Sequence, residues 1–170
     1  MLADLINPER IRRAVIYALI LLSAHMLQGL VLSHATVFGV RPMFLPAVAV
    51  AIGVFEGGTW GGMFGLLSGL MLDTAFAETT VLFTVLFPII GYCSGMLAYF
   101  FVNRKFFSYV CVSFAALLIT AAAQAVRPVV FLDASAADAA FVAVMQALLS
   151  LPFAAAVYFP VKSLAGKKPE

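Results

Sequence analysis

From about Ala14 to Val161 the chain is a succession of apolar stretches, too long and too closely spaced to be shielded from water by one another. Of its 170 residues, 64% are hydrophobic and 11% charged, with a mean hydropathy of +1.09. A soluble domain carries about 45–50% apolar and about 25% charged residues, and a chain this short leaves much of its surface exposed. The excess must face lipid. In hydrocarbon each backbone amide needs a partner from the chain itself, which leaves helices or a closed barrel. Barrel strands alternate polar and apolar residues over ~10 positions, and no such alternation occurs here. The expected fold is an all-α integral membrane protein, a single-domain bundle of six transmembrane helices.

The six spans fall at about 14–32, 42–55, 59–75, 80–101, 106–130 and 139–161. A crossing needs about 20 residues at ~1.5 Å each, so the second and third are short. They form either a tight hairpin sheltered by the longer spans or a re-entrant pair; both alternatives leave the two ends of the chain on one side. The positive-inside rule then orients the bundle. Arg10, Arg12, Arg13, Arg104, Lys105, Lys162, Lys167 and Lys168, eight of the ten basic residues, fall on the side of the N-terminus. Arg41 and Arg127 remain outside with Asp73, Glu78, Asp133 and Asp138. Both termini are therefore expected in the cytoplasm. The run Ala14–Leu32 exceeds the ~7–15 residues of a signal-peptide core and is read as a retained first span. A net charge of +2 offers nothing to nucleic acid. Cys93 and Cys111, inside apolar segments, are expected as buried, reduced thiols. With no C-x-x-C pair or His/Cys cluster, no metal or other cofactor is expected.

Gly57 to Asp73 reads GGTWGGMFGLLSGLMLD. Gly57, Gly61, Gly65 and Gly69 recur every fourth residue, which on a helix makes one stripe without side chains. Lipid supplies no hydrophobic force between helices, so close backbone contact through small residues becomes a main source of attraction. The stripe is read as a packing seam within the bundle; the same groove could receive a partner's helix. Gly91 and Gly95 in the fourth span make a shorter seam. Asp73 closes the stripe at a helix C-terminus, the wrong end of the macrodipole for a carboxylate. An acid so near hydrocarbon usually has a partner, and Arg127 is the basic residue proposed for it.

Other polar side chains gather at similar depth: His25 and Gln28 on one face of the first span, Gln124 on the fifth and Gln146 on the sixth. They are read first as an interhelical hydrogen-bond network and, more sharply, as a small pocket opening outward. Catalysis is not expected. Ser68 does not sit in a G-x-S-x-G elbow, and neither His25 nor His34 is placed as its base.

Pro42 and Pro46 ahead of the second span, the run Gly65-Leu66-Leu67-Ser68-Gly69-Leu70-Met71-Leu72-Asp73, and Gly91-Tyr92 with Gly95 together resemble the MreD family of bacterial rod-shape-determining membrane proteins. The likeness would cover nearly the whole chain. It implies a non-catalytic scaffold of the peptidoglycan elongation machinery in the bacterial cytoplasmic membrane. The implied partner is an MreC-like protein with one span and a coiled coil, and through it MreB, RodA and a class B penicillin-binding protein. That family's fold is similar to the substrate-binding S-components of energy-coupling-factor vitamin transporters, which supplies the alternative function. Ala14 and Ala18 have the A-x-x-x-A spacing by which such components dock their coupling partner.

Overall fold

The computed structural model describes residues 8–32, 40–75, 81–100, 106–131 and 135–165, with the backbone alone at 31, 32 and 127. The described residues form six helices: α1 (Pro8–Leu27, continued by a π-helical turn, Gln28–Leu32), α2 (Leu45–Glu56), α3 (Gly58–Ala75), α4 (Leu82–Phe100), α5 (Phe106–Phe131) and α6 (Ala136–Ala165). They lie within a few residues of the expected spans, except that α1 begins earlier. Four of them, α1 with its continuation to Leu30, α4, α5 and α6, are long and apolar enough to cross a membrane. The chain is a membrane-embedded, multi-pass, all-α protein.

Helix α2 is the centre of the bundle. Eleven of its 12 residues are buried, everything from Leu45 to Phe55. A helix apolar all round belongs inside other helices, and α1, α3, α4, α5 and α6 all pack against it. Its length, ~18 Å at ~1.5 Å per residue, falls short of the ~30 Å hydrocarbon thickness. The shortfall is harmless because protein, not lipid, surrounds it. The other helices turn apolar faces outward: Val15, Leu19 and Met26 on α1, Val85 and Ile89 on α4, Ile119 on α5 and Phe141 on α6 are all exposed. Cys93 and Cys111 are exposed as well, against the expectation of burial. A span in lipid has no need to turn its apolar residues inward, so hydrophobicity along it does not distinguish the core face from the lipid face.

The described ends of the chain share one end of the bundle. There the Arg13 guanidinium lies 3.6 Å from the Glu56 carboxylate, and the Tyr17 hydroxyl donates to that carboxylate at 2.8 Å. Tyr17 also presents ring edges to Trp60 and Phe64. Phe55 packs on Tyr158 of α6, and the Lys162 ammonium sits 5.1 Å from the centre of the Tyr158 ring. Deeper in, the Tyr109 hydroxyl donates to the carbonyls of Ala154 (2.9 Å) and Ala47 (3.3 Å), tying α5 to α6 and α2.

Candidate functional site

Helices α2, α3 and α4 meet at glycine. A Cβ on Gly61 would stand 2.6 Å from the Gly53 Cα and would also strike the Gly91 carbonyl. On Gly65 it would come within 2.8 Å of the Phe87 carbonyl carbon, and on Gly69 within 2.6 Å of that of Phe83. Gly91 faces the Gly61 backbone in return, and a Cβ on Gly95 would lie 2.6 Å from the Gly57 carbonyl carbon. Gly61, Gly65, Gly69, Gly91 and Gly95 therefore lie in one internal seam, filled by backbone. Ser68 and Ser94 stay within it by donating to the carbonyls of Gly65 and Gly91, each at 2.8 Å.

Gly57 does not belong to the stripe. It stands between α2 and α3 with φ +105° and ψ 170°, and a Cβ on it would meet nothing within 4 Å. This backbone conformation is open essentially only to glycine. Its N–H donates to the Gly53 carbonyl (2.8 Å) and its own carbonyl accepts from Gly61 N–H (3.0 Å), so α3 folds directly back on α2. The seam residue that the sequence reading missed is Gly53. The fourfold glycine period extends back to it, but the helix break at Gly57 puts Gly53 and Gly61 on different helices that meet at Gly91.

Asp73 caps the next helix. Its carboxylate accepts from the backbone N–H groups of Phe83 (3.2 Å) and Thr84 (2.7 Å) and from the Thr84 hydroxyl (2.6 Å). The charge that opposes the dipole at the end of α3 thus meets the positive end of α4. The side chain of Arg127, its expected partner, lies outside the described residues, as do Arg104, Lys105, Lys167 and Lys168.

The polar side chains expected on the outer side gather where α2 begins. That helix starts inside the bundle, so its first N–H groups must find partners in protein. Gln28 Oε1 accepts from both Phe44 and Leu45 N–H, each at 3.2 Å. Met43 N–H donates to Ser150 Oγ at 2.8 Å, and Ser150 donates on to the Gln146 carbonyl at 2.6 Å. Pro42 and Pro46 have no N–H to satisfy, and Ala47 N–H bonds the Phe44 carbonyl at 2.9 Å. The proline-rich approach and a glutamine from another helix together account for the donors of a buried helix start.

Beside this start lies a cavity of about 330 Å³ whose walls include His25, Gln28, Arg41, Gln124 and Gln146, with Met43 and Leu72. The structure so brings four of the predicted polar residues, His25, Gln28, Gln124 and Gln146, to one space. Asp73 is not among its lining residues, being engaged with α4. Gln124 Nε2 approaches Met43 Sδ at 3.1 Å and the Thr120 carbonyl at 3.4 Å. His25 Nδ1 is buried without a hydrogen-bond partner among the described residues. A second space of about 290 Å³ lies between α5 and α6, running from Gln124 and Gln146 toward Pro128 and Asp138 and lined also by Ala121, Ala125, Val142 and Ala143.

Glu56, also missed, carries the polar contacts at the opposite end of α2. Its only sequence signal was an acid terminating an otherwise apolar run. No group of three or more His, Cys, Asp or Glu side chains able to hold a metal occurs among the described residues. No protein-family model, curated protein or solved structure matches the chain.

Proposed function

We propose that the protein is a non-catalytic scaffold of the bacterial cytoplasmic membrane, acting by helix association in the manner of the MreD family it resembles. All six helices cross or line the bilayer in this reading, with both termini cytoplasmic. The observation that carries it is the fate of the run Gly57–Asp73, the most specific element of the resemblance. Its seam glycines and its terminal aspartate lock α3 onto α4, one by contact and the other by capping. That use makes the run a structural signature. It leaves the exposed apolar faces of the long helices, α1 above all, to receive a partner's span.

The partner expected is an MreC-like single-span protein with a coiled coil, connecting the bundle to MreB, RodA and a class B penicillin-binding protein. Affinity purification from the native membrane tests this: co-purification of such a partner supports it. Recovery of paired ATPases with a coupling subunit would instead favour the second reading, an S-component of an energy-coupling-factor vitamin transporter. The polar cavity beside α2 is the observation in favour of that alternative. Ala18 is exposed on α1 and Ala14 partly so, leaving that surface open to a coupling helix.

A further inference from the structure

We propose that the two adjoining spaces form one site for an anionic membrane amphiphile. Its head group is held in the cavity beside α2, and its hydrocarbon chain leaves sideways between α5 and α6. This assignment does not depend on which proteins the bundle assembles with, and it gives to a lipid the cavity that a solute carrier would use for a vitamin.

Continuity is the first ground. Gln124 and Gln146 line both spaces, so the two abut at that pair. The chemistry of the head cavity is the second. Arg41 lines it, is exposed and has no acidic partner among the described residues. The Gln28 carbonyl oxygen is taken by Phe44 and Leu45 N–H, so its NH₂ group is the half left over. The Gln146 side chain forms no hydrogen bond among the described residues, and His25 Nδ1 is buried without one. The Gln28 NH₂ group and the Arg41 guanidinium, which has no acidic partner among the described residues, therefore line one space, and an anion with several oxygens answers them together. Asp138, the acid lining the lateral space, stands about 12 Å along α6 from Gln146 at ~1.5 Å per residue.

The lateral space supplies the third ground. Apart from the glutamines and Asp138 its wall is alanine, Val142 and Pro128, apolar and narrow, and Val142 is exposed on the flank of the bundle. A soluble anion would leave this groove unfilled, and a neutral lipid would leave Arg41 unanswered. Polar groups without partners at this depth are costly and tend to mark a pathway or a ligand; an anionic lipid satisfies both halves.

The test reconstitutes the purified protein in phosphatidylcholine vesicles doped with phosphatidic acid bearing a photo-crosslinking acyl chain. Labelled peptides are then mapped by mass spectrometry. Labelling should concentrate on α5 and α6 around Ala125 and Val142 and fall several-fold in Arg41→Ala and in Gln146→Leu. A phosphatidylcholine probe with the same chain should label the exposed helix faces evenly, with no dependence on Arg41. Identical patterns for the two probes, or full labelling in Arg41→Ala, would mean ordinary surrounding lipid and overturn the proposal. Thermal stabilisation by inorganic phosphate with no lipid labelling would show a site for a free anion and overturn it equally. Arg41 is exposed, so its variant decides the matter even where Gln146→Leu fails to fold.

Discussion

Helices α3 and α4 touch backbone to backbone, while α5 and α6, packed together over much of their length, leave at one end a space lined by two glutamines. Both pairs are apolar and both are held in a bundle where water exerts no squeeze between helices. The first pair gains attraction by removing side chains, so that Gly61, Gly65 and Gly69 reach the backbone at Gly91, Phe87 and Phe83. No volume is left there for a ligand, and no tolerance for a side chain. The second pair is joined at the Tyr109 hydroxyl and through buried alanines, and above that point it opens. Helix α2 thus draws its position from the tight seam with α3 and α4, and the capping of its start from Gln28 and Ser150 beside the open space.

The sharpest way to break this contrast is Gly61→Leu or Gly65→Leu. The new side chain meets backbone, which cannot rotate away, so destabilisation should exceed the ~1–3 kcal/mol of ordinary overpacking. Loss of a monodisperse species in detergent would register it. Gly62→Ala is the control, because its Cβ would make only 3.7 Å contacts; a variant as damaged as Gly61→Leu would mean that the seam is not where the energy lies. Next in size is Gln28→Leu, which orphans two buried amides at ~1–3 kcal/mol each. Gln28→Glu keeps the acceptor and adds a charge favoured at a helix N-terminus, so most of the lost melting temperature should return.

Asp73→Ala should cost ~0.5–2 kcal/mol, the range for loss of a helix cap. If capping is its whole role, the loss in melting temperature will be the same whatever residue stands at 127. The smallest change is expected at the open side: Gln146→Leu, a side chain without a hydrogen bond among the described residues, should stay within ~0.5 kcal/mol of the parent. A larger loss would mean that the cavity is part of the packing.

Much of the architecture was legible because lipid imposes a simple rule. Apolar runs of spanning length must be helices, and their bounds followed from where polar residues interrupt them. The period-four glycines announced close packing, and Pro42 with Pro46 announced an unusual start to the second span. What could not be read was direction. Cys93 and Cys111 sit in apolar runs like their buried neighbours, yet they point outward, because a lipid-facing side is as hydrophobic as the core. Gly57 keeps the glycine rhythm and so counts with the stripe by spacing, but it falls in the gap between the spans expected at 42–55 and 59–75 and serves there as the turn. Asp73 lay at the end of a stripe, and only the return of α4 turned an apparent liability into a cap.

The amino-acid sequence by itself determined that the chain is helical and lives in lipid, because so much apolar surface allows no other solvent and lipid allows few other backbones. The tertiary structure alone decided which helix became the core, which polar groups were spent on backbone and which were left facing a cavity. Those outcomes depend on groups far apart in the chain, such as Gln28 with Leu45 or Gly53 with Gly91. Their meeting is a property of the packed bundle and of no local stretch within it.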